Sequence, residues 1–186
     1  MRVLAGALKG QRLVTPKGRT TRPTADQVRI ACLDTLMPYL EAGPFLDLFA
    51  GAGGVGIEAL SRGAPSAVFV EGDRAAVSAL KDNVERLGLG DRARIVRRDV
   101  MRALAVLSAE GARFAVVFLD PPYDGSHVVA TLEAMSADGG CLLPGAIVVA
   151  QHPTKHPPAV AQPGSLELWK SRRFGETTLT FFRARA

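Results

Sequence analysis

Cysteine is scarce in this chain of 186 residues: only Cys32 and Cys141 occur, far apart and without metal-ligand spacing. That excludes a disulfide framework and a zinc finger or ribbon, and leaves two buried, reduced thiols as the expectation. Long apolar runs are missing too. No uninterrupted stretch approaches the roughly 18 residues of a spanning helix, and the opening Met1-Arg2-Val3-Leu4-Ala5-Gly6 lacks the apolar segment of a signal peptide. The expected location is the cytoplasm, with no membrane contact. The three histidines, His127, His152 and His156, have no Ser, Cys or metal partner at useful spacing and read as solvated or structural, so no metal is expected. Internal repeats and low-complexity segments are absent.

Acidic residues are almost missing from one stretch. Residues 1 to 30 carry Arg2, Lys9, Arg12, Lys17, Arg19, Arg22 and Arg29 against the single acid Asp26, whereas the remaining 156 residues hold 16 basic and 17 acidic groups. A basic arm on a nearly neutral body is the footprint of a polyanion binder, in which phosphate contacts supply affinity and little sequence choice. Two short extended runs, Arg2 to Ala5 and Gln11 to Thr15, predict a small hairpin. A helix follows, with Thr24 as its N-cap and Pro38 as its stop.

The chain is well supplied with apolar residues, 47% of the total, enough for one buried core. From residue 45 they fall into strand-then-helix units: Phe45 to Ala50 with a helix over 55–62, Ala67 to Glu71 with 74–87, and Ala93 to Val96 with 100–109. Phe114 to Leu119 with 127–136 and then Ala146 to Gln151 complete the series. This alternation predicts a Rossmann-like α/β fold with helices on both faces of a mostly parallel sheet. Leu166 to Arg172 and Thr177 to Arg183, flanking Arg173-Phe174-Gly175-Glu176, add an antiparallel hairpin and bring the sheet to seven strands. Residues 1–40 are expected as an appended basic hairpin and helix, and 41–186 as the main domain. Trp169, Phe181 and Phe182 read as packing residues, while Arg172 and Arg173 either extend a nucleic-acid face or solvate an edge strand.

Three strand ends carry binding chemistry. Gly51, Gly53 and Gly56 follow the first strand and let backbone N–H groups approach a nucleotide-like ligand at a helix N-terminus, a pattern shared by nicotinamide and methyl-donor enzymes. Glu71 ends the second strand, where a carboxylate accepts from ribose hydroxyls. Asp99 follows the third, either receiving an adenine amine beside the Val100 N–H or capping a helix. Asp47 lies within an apolar strand and needs backbone N–H groups or a cationic ligand group as partners. After the fourth strand, Asp120-Pro121-Pro122-Tyr123 places two fixed-φ prolines between an acid and an aromatic ring, a rigid acceptor pair suited to a planar amine.

Taken with Asp47-Leu48-Phe49-Ala50-Gly51-Ala52-Gly53, these motifs resemble class I S-adenosylmethionine-dependent methyltransferases acting on exocyclic amines. Gly10-Gln11-Arg12-Leu13, Arg22-Pro23-Thr24-Ala25-Asp26-Gln27-Val28-Arg29, Gly56-Ile57-Glu58-Ala59-Leu60-Ser61-Arg62-Gly63-Ala64 and Phe174-Gly175-Glu176-Thr177 narrow the resemblance to the RsmD-type family, over nearly the whole chain. Ile30 departs from it, since the family usually carries Glu there. The resemblance implies methylation of guanine N2 in small-subunit (16S) ribosomal RNA; the expected partner is ribosomal RNA or a small-subunit assembly particle, and no obligate protein partner is evident in the sequence. It places Gly51, Gly53 and Gly56 at the donor's methionine part, Glu71 at its ribose, and Asp99 with Val100 at its adenine. Asp120 and the Pro121 carbonyl would hold the amine, and Tyr123 would stack on a flipped base. The alternatives are an adenine N6 methyltransferase on DNA or RNA, a nicotinamide oxidoreductase, and a non-catalytic RNA-binding protein.

Overall fold

The computed structural model describes residues 1–16, 23–121, 126–137, 140–158 and 164–185. These form five helices, α1 (Pro23–Leu36), α2 (Gly54–Ser61), α3 (Arg74–Arg86), α4 (Val100–Ala109) and α5 (Ser126–Ser136), with a 3-10 helix at Met37–Ala42. The strands are β1 (Phe45–Leu48), β2 (Ala67–Glu71), β3 (Ala93–Arg97), β4 (Phe114–Leu119), β5 (Leu142–Pro153), β6 (Leu166–Phe174) and β7 (Thr177–Ala184). They make one seven-stranded sheet in the order β3-β2-β1-β4-β5-β7-β6. Pairs among the first five are parallel, and β7 pairs antiparallel with both β5 and β6.

Strand order reverses after β3, when the chain crosses to β4 on the other side of β1. The crevice at the carboxyl ends of β1 and β4 is therefore the switch point, where ligands bind in open α/β sheets. Both sheet faces are covered. Val28, Leu33 and Leu36 of α1, Ile57 and Leu60 of α2 and Leu80 of α3 pack with Phe45, Phe69 and Phe181 on one face. Val100, Leu104 and Leu107 of α4 pack with Leu132 of α5, Leu48 and Phe182 on the other. All six residues of β4 are buried, as its continuous apolar run requires. Both cysteines are free and buried; burial pushes the Cys141 thiol up to about 11 and raises that of Cys32 as well. Among the described residues no helix is long and apolar enough to cross a membrane.

The differences from the sequence reading have local causes. Strand β1 ends at Leu48 rather than Ala50, because Phe49 turns into the left-handed region at φ 61°. Helix α1 starts at Pro23, which suits a first helical position, so Thr24 lies inside the helix and is not its N-cap. Helix α1 ends at Leu36, ahead of Pro38 as expected, and the chain continues as the 3-10 helix Met37–Ala42. Strand β5 begins at Leu142, four residues early, through an irregularity in its pairing with β4 that accommodates Pro144 and Gly145.

The N-terminal hairpin is a single bridge, Arg2 to Arg12, rather than a two-stranded ladder. Val3 N–H donates across it to the Gln11 carbonyl at 2.9 Å, Leu13 N–H to the Met1 carbonyl at 3.0 Å and Gly10 N–H to the Val3 carbonyl at 2.8 Å, while Leu4 and Ala5 N–H groups donate to the Glu58 carboxylate at 2.7 and 2.8 Å and Leu8 N–H donates to Ser61 Oγ at 2.9 Å. Val3 and Leu13 are buried in the α1 face of the core, so the arm is packed onto the sheet's own helices.

Candidate functional site

The Gly-rich loop connects β1 to α2 at the switch point. Phe49 holds φ 61°, an uncommon conformation for a non-glycine residue that aromatic side chains adopt only when the surroundings enforce it. Its ring sits 6.4 Å from that of His127 in the first turn of α5. Gly53 has φ 84°, and a Cβ there would run into the Leu80 side chain. A Cβ on Gly56 would collide with the Phe69 ring and lie 3.0 Å from Asp47 Oδ2. Both positions need glycine so that the loop can lie close to the sheet, leaving its outer surface as a cradle.

Acidic side chains fasten this loop from below and beside it. Asp47, 2% exposed on β1, accepts a 2.8 Å hydrogen bond from Gly56 N–H through Oδ2. Of the two kinds of partner expected for Asp47, the structure supplies the backbone donor. Glu71 at the end of β2 accepts from Gly51 N–H through Oε2 and from Asp73 N–H through Oε1, each at 2.8 Å. Each oxygen keeps acceptor capacity for a further donor. Asp99 caps α4, its Oδ1 accepting from Met101 and Arg102 N–H groups at 3.0 and 3.3 Å, while Val100 opens the helix with its side chain buried. Asp120 is exposed immediately beyond β4 and Pro121 is buried. Pro122 and Tyr123 lie outside the described residues, as do Lys17, Arg19 and Arg22 of the basic arm.

Burial pushes the Asp47 carboxyl up to about 7; the Gly56 hydrogen bond opposes this, and the charges of Asp120 and Glu71 reinforce it. The folded value exceeds the unfolded one, so between about pH 4 and 7 the folded chain keeps a proton that the unfolded chain has released. Stability from this group is present at low pH and falls as pH rises through that window, by up to about 1.4 kcal/mol per pH unit. Asp47→Asn is expected to flatten the stability curve between pH 5 and 7, measured by urea melts of both proteins. Parallel curves for the two would show that Asp47 does not titrate there.

Of the arm cations, Arg2, Lys9 and Arg12 are exposed, and Arg2 and Arg12 line an open groove of about 470 Å³ with Met1, Leu4, Leu13 and Asp26. Arg29 is a correction to the RNA-facing set. It is 7% exposed, donates to the Arg2 carbonyl at 2.7 Å and to Asp26 at 3.1 Å, and its Nε faces Glu58 at 4.0 Å. Its charge is turned inward to hold the arm on α1.

Sequence reading missed three positioning residues besides Phe49. Glu58, fully buried on α2, gathers Leu4, Ala5 and Arg62. Ser61, one turn on, donates to the Ala5 carbonyl at 2.6 Å. Asn83 on α3 accepts from Val14 N–H at 2.7 Å and donates to the Val14 and Ala52 carbonyls at 2.9 and 3.0 Å, joining the arm to the Gly-rich loop. The available signal was a polar residue on an apolar stripe: Glu58 between Ile57 and Ala59, and Asn83 beside Leu80 and Val84. No group of three or more metal-binding side chains is found among the described residues.

Comparison with known proteins extends the resemblance across the chain. The family model described as Conserved hypothetical protein 95 matches residues 1–183. The putative rRNA methyltransferase YlbH of Bacillus subtilis (strain 168) is 36% identical over 187 residues, with 100% of both chains covered. Ribosomal RNA small subunit methyltransferase D of Escherichia coli (strain K12) is 34% identical over 151 residues, 81% of this chain and 74% of that protein. A solved Escherichia coli structure, the putative methyltransferase yhhF, has a TM-score of 0.85 at 31% identity, covering 100% of this chain and 98% of that one. With the Gly-rich cradle, the strand-end acids and the Asp120 turn all at one sheet edge, the chain belongs to the Conserved hypothetical protein 95 family, the RsmD family of ribosomal RNA small subunit methyltransferases.

Proposed function

We propose that this protein transfers a methyl group from S-adenosylmethionine to the exocyclic N2 amine of a guanine in small-subunit (16S) ribosomal RNA. The observation that carries this reading is the register Leu48↔Leu119, which starts the Gly-rich loop and the Asp120 turn from adjacent strand ends, about 4.8 Å apart. A donor in the cradle and an amine at Asp120 are thereby neighbours.

The residues present fit such a donor. The cradle that Cβ atoms at Gly53 or Gly56 would distort suits its methionine part, the remaining lone pairs of Glu71 suit ribose hydroxyls, and Asp99 with the Val100 N–H suits an adenine edge. S-adenosylmethionine supplies an electrophilic sulfonium methyl when bound, so no metal is needed. The chain's own task is placement. A guanine amine is a poor nucleophile because its lone pair is conjugated with the ring. The Asp120 carboxylate and the Pro121 carbonyl bind its two hydrogens and favour a tetrahedral nitrogen with the lone pair directed away from them. Tyr123 stacks on the flipped base. A carboxylate is too weak a base to take the amine proton beforehand, so deprotonation follows nitrogen's gain of the methyl group.

Calorimetry with S-adenosylmethionine and with NAD, followed by transfer of labelled methyl groups to small-subunit rRNA, tests this. Binding of the first ligand alone and labelled RNA are expected; NAD binding without label would return the oxidoreductase reading.

The exposed arm cations supply the RNA affinity in this account. Alanine at Arg2, Lys9 and Arg12 together is expected to lower the slope of log affinity against log salt by about 2, at roughly 0.7–0.9 per lost phosphate contact. Point changes are the right instrument, because removing the arm would uncover Glu58 and the core around Val3 and Leu13. An unchanged slope in filter-binding titrations would contradict the arm's role.

A further inference from the structure

Basic charge is concentrated in a second place that the arm does not explain. Between residues 166 and 185 there are five basic residues against two acids, whereas residues 31–165 hold eleven against fifteen. The second stretch is the β6–β7 hairpin, whose outer strand β6 is an edge of the sheet. An irregularity in its pairing between Leu168 and Lys170 breaks the two-residue alternation, so Trp169 and Lys170 both reach Phe181 on the α1 face.

The result is an aromatic and cationic cluster at the surface. The Trp169 ring is 37% exposed and meets Tyr39 and Phe181 edge-on, with centroids 5.8 and 6.1 Å away. Lys170 Nζ lies 4.0 Å from its centre and the Arg183 guanidinium 5.2 Å. Arg183 also donates to Tyr39 Oη at 2.9 Å, and Arg172 donates to Thr35 Oγ1 of α1 at 3.4 Å. Glu167 stands opposite Arg183 in register, but its carboxylate pairs with Arg185 at 2.8 Å. Among the described residues, Lys170, Arg172 and Arg183 have no carboxylate partner. Protection of an edge strand explains the charges, but not an exposed indole among them.

Resting on the rRNA methyltransferase reading, we infer that this hairpin face is a second RNA contact, taking a single-stranded segment whose base stacks on Trp169 and whose phosphates meet Lys170, Arg172 and Arg183. Charge complementarity selects a polyanion, and the combination of a π-face with flanking cations selects unpaired nucleotides over duplex. An exposed cation–π contact is weaker than a base stacked on an indole, so Lys170 can leave the ring for a phosphate. Helix α1 touches both basic regions: its Arg29 donates to the Arg2 carbonyl of the arm and its Thr35 accepts from Arg172 of the hairpin. Strand β6 lies three strands from β4, about 14 Å, which an RNA segment of a few nucleotides spans.

Trp169 is the single tryptophan, so intrinsic fluorescence reads this face directly. The expected result is quenching of the full-length protein by poly(U) at low salt, reversed by sodium chloride. Trp169→Ala is expected to raise KM for small-subunit rRNA about tenfold with kcat unchanged, and the double variant Lys170→Ala/Arg172→Ala to lower the salt slope by about 1.4. The inference is overturned if methyl transfer proceeds normally in both variants and saturating poly(U) leaves Trp169 emission unchanged, or if RNA-free small-subunit proteins shift that emission and poly(U) does not. If the wild type transfers no methyl group to rRNA at all, the catalytic reading fails, and the quenching result still decides this one.

Discussion

Asp120→Ala is expected to lower the methyl-transfer rate by about 10²–10³-fold while leaving donor affinity nearly unchanged. The side chain stands beyond β4, outside the cradle formed by Gly51 to Gly56, and its charge raises the Asp47 carboxyl beneath that cradle. Removing it takes away one of two acceptors for the target amine and relieves a like-charge interaction on the donor side. Asp120→Asn keeps an acceptor of the same shape and is expected to fall between wild type and Ala. Single-turnover rates with saturating RNA, together with calorimetry for the donor, separate the two effects. An undiminished rate in Asp120→Ala would remove Asp120 from the mechanism.

The largest loss of stability is expected at Glu58. It is fully buried, accepts from two arm N–H groups, pairs with Arg62 at 3.1 Å and faces Arg29 at 4.0 Å. Glu58→Ala leaves two N–H groups without an acceptor and takes one carboxylate from Arg62 and Arg29, which keep Asp34 and Asp26, at a cost of about 3–5 kcal/mol. For a chain of this size that corresponds to a fall in Tm of roughly 10 °C. Glu58→Gln keeps one acceptor and the side-chain volume, so it should lose less. Calorimetric melts of the three proteins check the order, and a Tm for Glu58→Ala within a degree of wild type would show that the arm is held by other contacts.

Much of the sheet was legible because its apolar runs are continuous and separated by helix-period segments. The fully buried FAVVFL of β4 and the Asp99 cap leave little freedom in reading elements there. The strand-end acids were legible for the same reason, since position after a strand fixes which sheet edge they share. What was not legible depends on tertiary partners. Arg29 reads as one more arm cation until Asp26, Glu58 and the Arg2 carbonyl are brought around it. The arm's hairpin follows its two extended runs, but its docking does not show in them: the N–H groups of Leu4, Ala5 and Leu8 turn to Glu58 and Ser61. Phe49 and Asn83 acquire their roles from a left-handed turn and a contact 69 residues away in the chain, neither of which local pattern encodes.

The most direct test of the account is nucleoside analysis of small-subunit rRNA, digested after incubation with this protein and labelled S-adenosylmethionine. The account predicts label in N2-methylguanosine at one position, and none with Asp120→Ala. Label in N6-methyladenosine would leave the fold and the donor site standing and contradict the assignment of guanine.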